Sequence, residues 1–215
     1  MSEAQEHSEY AARLNDLWLI TQEFLSGIRF LYMDTGRDEH FEDHHLLSHV
    51  FHDILETALG IFVLAREGAS NGAKRELRFL LELAIKVCCV EQEHGQMKIE
   101  DKVSDASAFL DSTNIGIKKR IRIDMLSEHL RDEFRSELGR LYGSACSWVH
   151  VTVDQINDRI DRVERGITAG KEGLPELNQL IIQLEPCYAA VPVARGALHR
   201  QAGWLGAETD HYAQR

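Results

Sequence analysis

The chain has 215 residues, with 24 Lys and Arg against 35 Asp and Glu, for a net charge of −11. A chain of this length buries roughly 70% of the surface its unfolded form exposes, so its stability requires neither a structural metal nor a disulfide. The acidic field excludes a general polyanion coat and an acidic membrane surface as partners, leaving nucleic-acid contact to a local basic patch.

The N-terminal stretch "MSEAQEHSEY" lacks the basic, apolar and small-residue regions of a signal peptide. No apolar run approaches the roughly 18 residues of a membrane span, so a soluble cytoplasmic protein with no membrane contact is expected. The four cysteines, Cys88, Cys89, Cys146 and Cys187, form no C-x-x-C pair. Reduced and mostly buried thiols are expected.

In chain order, the segment from about Ala4 to Met33 places Leu14, Leu17, Trp18, Thr21, Phe24, Leu25 and Ile28 on a three-four spacing, which predicts a helix with one buried face. "DTGRDE" ends it. A second helix is predicted from about His40 to Arg66, with Leu47, Val50, Phe51, Ile54, Ala58, Ile61 and Phe62 inward, closed by "EGASNG". A third, from about Gly72 to His94, is apolar nearly all round and is placed at the centre of a bundle. A short helix follows over Ile99 to Leu110, then a loop, "STNIGIKKRIRI".

From about Asp124 to Glu164 a long helix is predicted with Leu126, Leu130, Phe134, Leu138, Leu141, Ala145, Trp148, Thr152, Ile156 and Ile160 inward, bent near its glycines and stopped by Gly166. Pro175 suits the first turn of a last helix, which Pro186 and Pro192 are expected to break or kink. The fold class is therefore all-α: a single-domain bundle of four to five main helices with short accessory helices. It is expected to span residues 1–202, with a weakly structured tail over 203–215.

Several clusters carry possible chemistry. In "HFEDHHLLSHVFHDILE", His45, His49, His52 and Glu56 recur at spacings of four, three and four, a line that can hold zinc. The line lies opposite the predicted core face, so a solvated surface is the expected role, with a metal-binding bundle enzyme as an alternative. His40 and His44 fall nearer the apolar side. No cofactor is expected.

In "KRELRFLLELAIK", Arg78 and Glu82 stand one turn apart on a helix expected to be buried. They form either an ion pair that orders the interior or a polar cleft whose arginine holds a phosphate or carboxylate. The run "KKRIR", Lys118 to Arg122, is a solvated helix start or a phosphate-contact patch for RNA or DNA. In "GRLYGSACSWVH", helical projection puts Gly139, Gly143, Cys146 and His150 on one strip, flanked by Tyr142 and Trp148. Glycine inside a helix costs about 1 kcal/mol relative to alanine, so the strip implies a surface of close approach.

The stretches "KRELRFLLELAIK" and "LYGSACSWVH", in that order, resemble those of HEPN-like helical-bundle proteins over residues 40 to 165. The resemblance implies a helical bundle and a homodimer. HEPN ribonucleases carry an arginine and a histidine separated by about four to six residues on one helix, whereas here nine residues lie between Arg140 and His150, and Leu141 follows the arginine. That departs from the nuclease signature. The expected function is a HEPN-like binding or regulatory module, for instance in bacterial stress or phage defence, with a possible protein partner. The alternative is a metal-independent endoribonuclease in which His150 moves a proton at a ribose 2′-hydroxyl and Arg140 neutralises the phosphate. The polar-cleft residues of either version are Arg78, Glu82 and Tyr142.

Overall fold

The structure, a computed structural model, describes residues 3–95, 97–112, 121, 127–149, 153–166 and 173–201. Among the described residues all regular structure is helical: α1 (Glu3–Thr35), α2 (Phe41–His44), α3 (Leu46–Arg66), α4 (Ser70–His94), α5 (Ile99–Leu110), α6 (Glu128–Ser147), α7 (Val153–Glu164) and α8 (Leu174–Gln201). Five of these, α1, α3, α4, α6 and α8, have 20 residues or more, and the other three are accessory. The all-α fold class expected from periodicity is what the chain adopts. The tail over 203–215 lies outside the described residues.

The chain divides into two compact units, one formed by residues 1–27, 52–82 and 140–189, the other by 28–51, 83–139 and 190–215. In the first, Leu17, Phe24, Ile54, Ala58, Ile61, Leu77, Leu80, Leu81, Ala145, Leu180 and Leu184 are buried and supply its apolar core. The Phe24 and Tyr188 rings stack at 4.2 Å, and the Tyr188 hydroxyl donates to the Ala58 carbonyl at 3.4 Å. Burial pushes the Tyr188 pKa upward. By length and composition α3 would suffice to cross a membrane, but Ile54, Ala58, Ile61 and Ala65 face the interior of this unit.

Helix ends follow local chemistry. After Arg66 the chain turns through Gly68 at φ +66°, with Ala69 N–H donating to Leu64 O at 2.7 Å and Gly68 N–H to Ala65 O at 3.0 Å. This Schellman pair needs a left-handed residue, which glycine adopts without strain. Gly166 ends α7 in the same conformation, at φ +73°. At the start of α8, Glu176 accepts from the Gly173 N–H at 3.2 Å, the backward half of a capping box. Of the break or kink expected at the two prolines, a break does not occur: α8 runs continuously through both Pro186 and Pro192. Pro186 frees the carbonyl of Ile182, a residue largely open to water, so solvent can take the place of the missing donor.

The second unit departs most from the sequence expectation. The helix predicted from His40 to Arg66 is interrupted at His45, whose backbone is extended at φ −110° and ψ 115°. The cause lies in two charged side chains from other helices. Glu91 of α4 accepts the Leu46 N–H at 2.5 Å, and the Lys102 ammonium of α5 donates to the His44 carbonyl. These backbone groups would otherwise continue the helical ladder across the junction. Lys102 and Glu91 pair at 2.8 Å, with the lysine side chain 0% exposed. Beside them His45 Nε2 lies 3.0 Å from Asp38 Oδ2, and the His40 N–H donates to Asp38 Oδ1 at 2.9 Å. Tyr32 stacks on Phe51 at 4.0 Å and meets Phe41 edge-on at 5.1 Å, closing the apolar side of the junction. Lys86 caps the far end of α5 by donating to Leu110 O at 2.6 Å.

Partial burial opposes ionisation of Asp38, but the His40 amide and the His45 ring hold its pKa below the ordinary value. Its folded pKa is therefore below its unfolded one. The stabilisation is present above the ordinary aspartate range near ~3.9 and is lost as pH falls through the folded value. Asp38→Asn should flatten the acid limb of stability measured by urea unfolding between pH 7 and pH 3. Lys102→Met should cost about 3–5 kcal/mol in the same assay, because Glu91 is left buried without its counter-charge. The double variant Lys102→Met/Glu91→Leu should lose clearly less than the sum of the two single changes.

Candidate functional site

In the first unit, α4 brings Arg78 and Glu82 to the side of α6 that carries Tyr142 and Cys146. The apolar positions Leu77, Leu80, Leu81, Leu141 and Ala145 are buried around them, and this fixes the rotation of both helices. Arg78 Nη1 donates to Glu82 Oε2, Arg78 Nη2 donates to the Tyr142 hydroxyl at 3.3 Å, and the guanidinium carbon stands 5.6 Å from the Tyr142 ring centroid. Cys146 stands beside both groups and interacts electrostatically with Arg78 and Tyr142. The structure thus gathers Arg78, Glu82 and Tyr142, and adds Cys146 one turn beyond Tyr142.

The electrostatics follow from that geometry. Burial alone would lower the Arg78 pKa, but the Glu82 carboxylate raises it above the ordinary arginine value. Tyr142 is pushed up to about 12, first by burial and then by the Glu82 charge, with Arg78 offsetting part of the rise. The guanidinium is committed on two nitrogens, and its Nε is buried with no hydrogen-bond partner among the described residues. A phosphate or carboxylate seeking a bidentate grip would have to displace Glu82 from Nη1 or reach the buried Nε. The cluster is therefore built as an internal polar clamp between α4 and α6.

The other expected sites are placed differently. His45 sits in the break before α3 and pairs with Asp38, while His49 and His52 are exposed on α3. His49 Nε2 lies 3.2 Å from the Glu42 carbonyl. Among the described residues no group of three or more His, Cys, Asp and Glu side chains is arranged to hold a metal ion. His40, expected nearer the apolar side, is exposed and stacks on His44 at 5.2 Å. Arg140 is exposed on α6, and His150 lies outside the described residues, as does the KKRIR run apart from Ile121.

The long helix predicted to Glu164 instead stops at Ser147. Trp148 and Val149 close it with i→i−3 bonds to Ala145 O at 3.1 Å and Cys146 O at 3.3 Å. The Ser147 hydroxyl turns back to Ser144 O at 2.6 Å, a competing local bond of the kind that weakens a helix end. Among the described residues, the small-residue strip on α6 holds Gly139, Gly143 and Cys146. A side chain at Gly143 would meet nothing within 4 Å, so this position faces open space rather than a neighbouring helix.

The break sets α7 in an unexpected rotation. Val153 is 72% exposed, Ile156 45%, Ile160 49% and Val163 70%, whereas Arg162, on the opposite side, is 7% exposed. Ile156 and Ile160, expected to face inward, face solvent. The spacing of three, four and three along Val153, Ile156, Ile160 and Val163 is that of a coiled-coil seam. At the end of the helix, Arg165 Nη1 lies 3.7 Å from Glu176 Oε1, tying it to the start of α8. Scattered exposed apolar residues are ordinary, whereas these four stand in register on one side of a single helix.

The clamp makes a spectroscopic expectation. Ultraviolet difference titration should show a tyrosine step near pH 12 that Tyr142→Phe removes. Glu82→Gln should bring that step down toward the ordinary tyrosine range near ~10, because a negative charge next to the phenol is gone. A raised folded pKa means that the Tyr142 contribution to stability is full below the unfolded value and fades as pH rises through about 12. No family model matches this chain, and no curated protein or solved structure matches it.

Proposed function

We propose that the protein is a helical binding and regulatory module of the HEPN-like kind that works as a homodimer. The observation that supports this most directly is the rotation of α7, which spends a buried position on Arg162 and leaves Val153, Ile156, Ile160 and Val163 on the surface. Burying a charged side chain while exposing four aliphatic ones is unfavourable for a lone chain in water. It becomes favourable when a second molecule covers the aliphatic side.

The clamp of Arg78, Glu82, Tyr142 and Cys146 has a supporting part in this function. It holds α4 against α6, the helix that precedes α7, with hydrogen-bonded charges rather than apolar contact alone. Such networks fix one arrangement of helices at the expense of others. A rigid base is what a recognition helix needs, since binding then orders fewer side chains.

Sedimentation equilibrium tests the proposal. The wild-type protein, at concentrations on the order of 10–100 μM, should sediment at twice the chain mass of 24.5 kDa. The variant Ile156→Asp/Ile160→Asp should sediment at the single-chain mass while its helical circular dichroism is unchanged. A monomeric wild type, or a double variant that remains dimeric, would overturn the proposal.

A further inference from the structure

We infer that the partner of α7 is the α7 of a second copy of this chain, running parallel to it and in register. The inference rests on the homodimer proposed above and adds the orientation of its interface, which the flanking charges decide. With Val153 and Ile160 at the a positions of a heptad and Ile156 and Val163 at the d positions, Arg159 falls at g and Glu164 at the following e. Both are exposed, one on each side of the seam.

In a parallel pair the g residue of one helix meets the e residue of the next heptad on the other. Arg159 therefore meets the partner's Glu164, and Glu164 meets the partner's Arg159. Two-fold symmetry makes the ion pairs reciprocal, so a single patch is complementary to itself. An antiparallel pair centred on the same seam brings the two copies of Arg159 together and sets Asn157 against the partner's Asn157. That arrangement repels at its centre, where the parallel one attracts. The helix spans about 18 Å, enough for four layers of side chains, and the seam continues to both of its ends at Val153 and Val163.

Nothing in α7 itself interrupts such a pairing among its described side chains. Asn157, at the other e position, is exposed and uncharged and adds no repulsion. The same layout disfavours a generic apolar partner, because a helix lacking an acid opposite Arg159 and a base opposite Glu164 leaves both charges unmatched at the edge of the seam.

Charge exchange tests the register. Arg159→Glu and Glu164→Arg should each weaken the homodimer roughly tenfold at low salt, since each change replaces two attractions by two repulsions. The double variant Arg159→Glu/Glu164→Arg should associate as tightly as wild type, and mixing the two single variants should yield heterodimers in preference to either homodimer. Single variants that associate as tightly as wild type, in a protein that Ile156→Asp/Ile160→Asp renders monomeric, would overturn the parallel register and leave the α7 interface standing. A wild-type protein that stays monomeric, or associates with equal strength after Ile156→Asp/Ile160→Asp, would overturn both.

Discussion

The ion pair of Lys102 with Glu91 is the constraint around which the second unit is arranged. An ammonium with no access to water is tolerable only if each of its strong bonds is made, and here the bonds go to a carboxylate and to a main-chain carbonyl. The carboxylate spends its other oxygen on the Leu46 amide. A charged pair thus takes up one group from each of two rungs of a helix. The chain between α2 and α3 bends at His45 because these two backbone groups find partners outside their own helix, and the bend brings the His45 ring to Asp38.

The first unit uses charge in a related way. Arg78, Glu82 and Tyr142 are neighbours across α4 and α6 in a surrounding of buried leucines, where a low local dielectric strengthens the bonds they make with one another. The Tyr142 pKa registers that environment, since the phenol resists ionisation beside the Glu82 carboxylate despite the nearby guanidinium. An arginine tied on two sides is a poor receptor for a loose anion and a good fixture. In the function proposed above, the clamp positions helices and recognition falls to a surface that is open.

Periodicity made most of the helices legible, and the reasons for the exceptions are specific. The apolar spacing of Leu77, Leu81, Ala84 and Cys88 continues to Glu91, and Lys102 stands on the same face of α5 as Ala106 and Phe109. One acidic and one basic residue on otherwise apolar faces were a sign of a buried pair, but the spacing within each helix does not reveal that the two faces meet. The break at His45 depends on that meeting, so the local pattern from His40 to Arg66 reads as one helix. Arg78 and Glu82 were visible because both partners lie on one helix, four residues apart. The end of α6 at Ser147 was obscured because the apolar positions continue at helical spacing into α7. Periodicity records that a helix has two unlike sides without recording which side the rest of the chain covers.

That last ambiguity is where the fold and the proposed function meet. Turning α7 by half a revolution would turn Val153, Ile156, Ile160 and Val163 inward, but it would bring the buried Arg162 to the surface and disrupt the interaction that it makes there. It would also carry Arg165 away from Glu176, whose carboxylate is occupied in capping α8 through Gly173. The left-handed turn at Gly166 fixes the exit of the helix, and the i→i−3 bonds at Trp148 and Val149 fix the end of the helix before it. The outward seam is thus held by polar bonds at one end and along the inner side of α7. An apolar surface fixed in this way cannot be covered by turning the helix about its own axis, and for that reason the proposed function assigns its burial to a second copy of the chain.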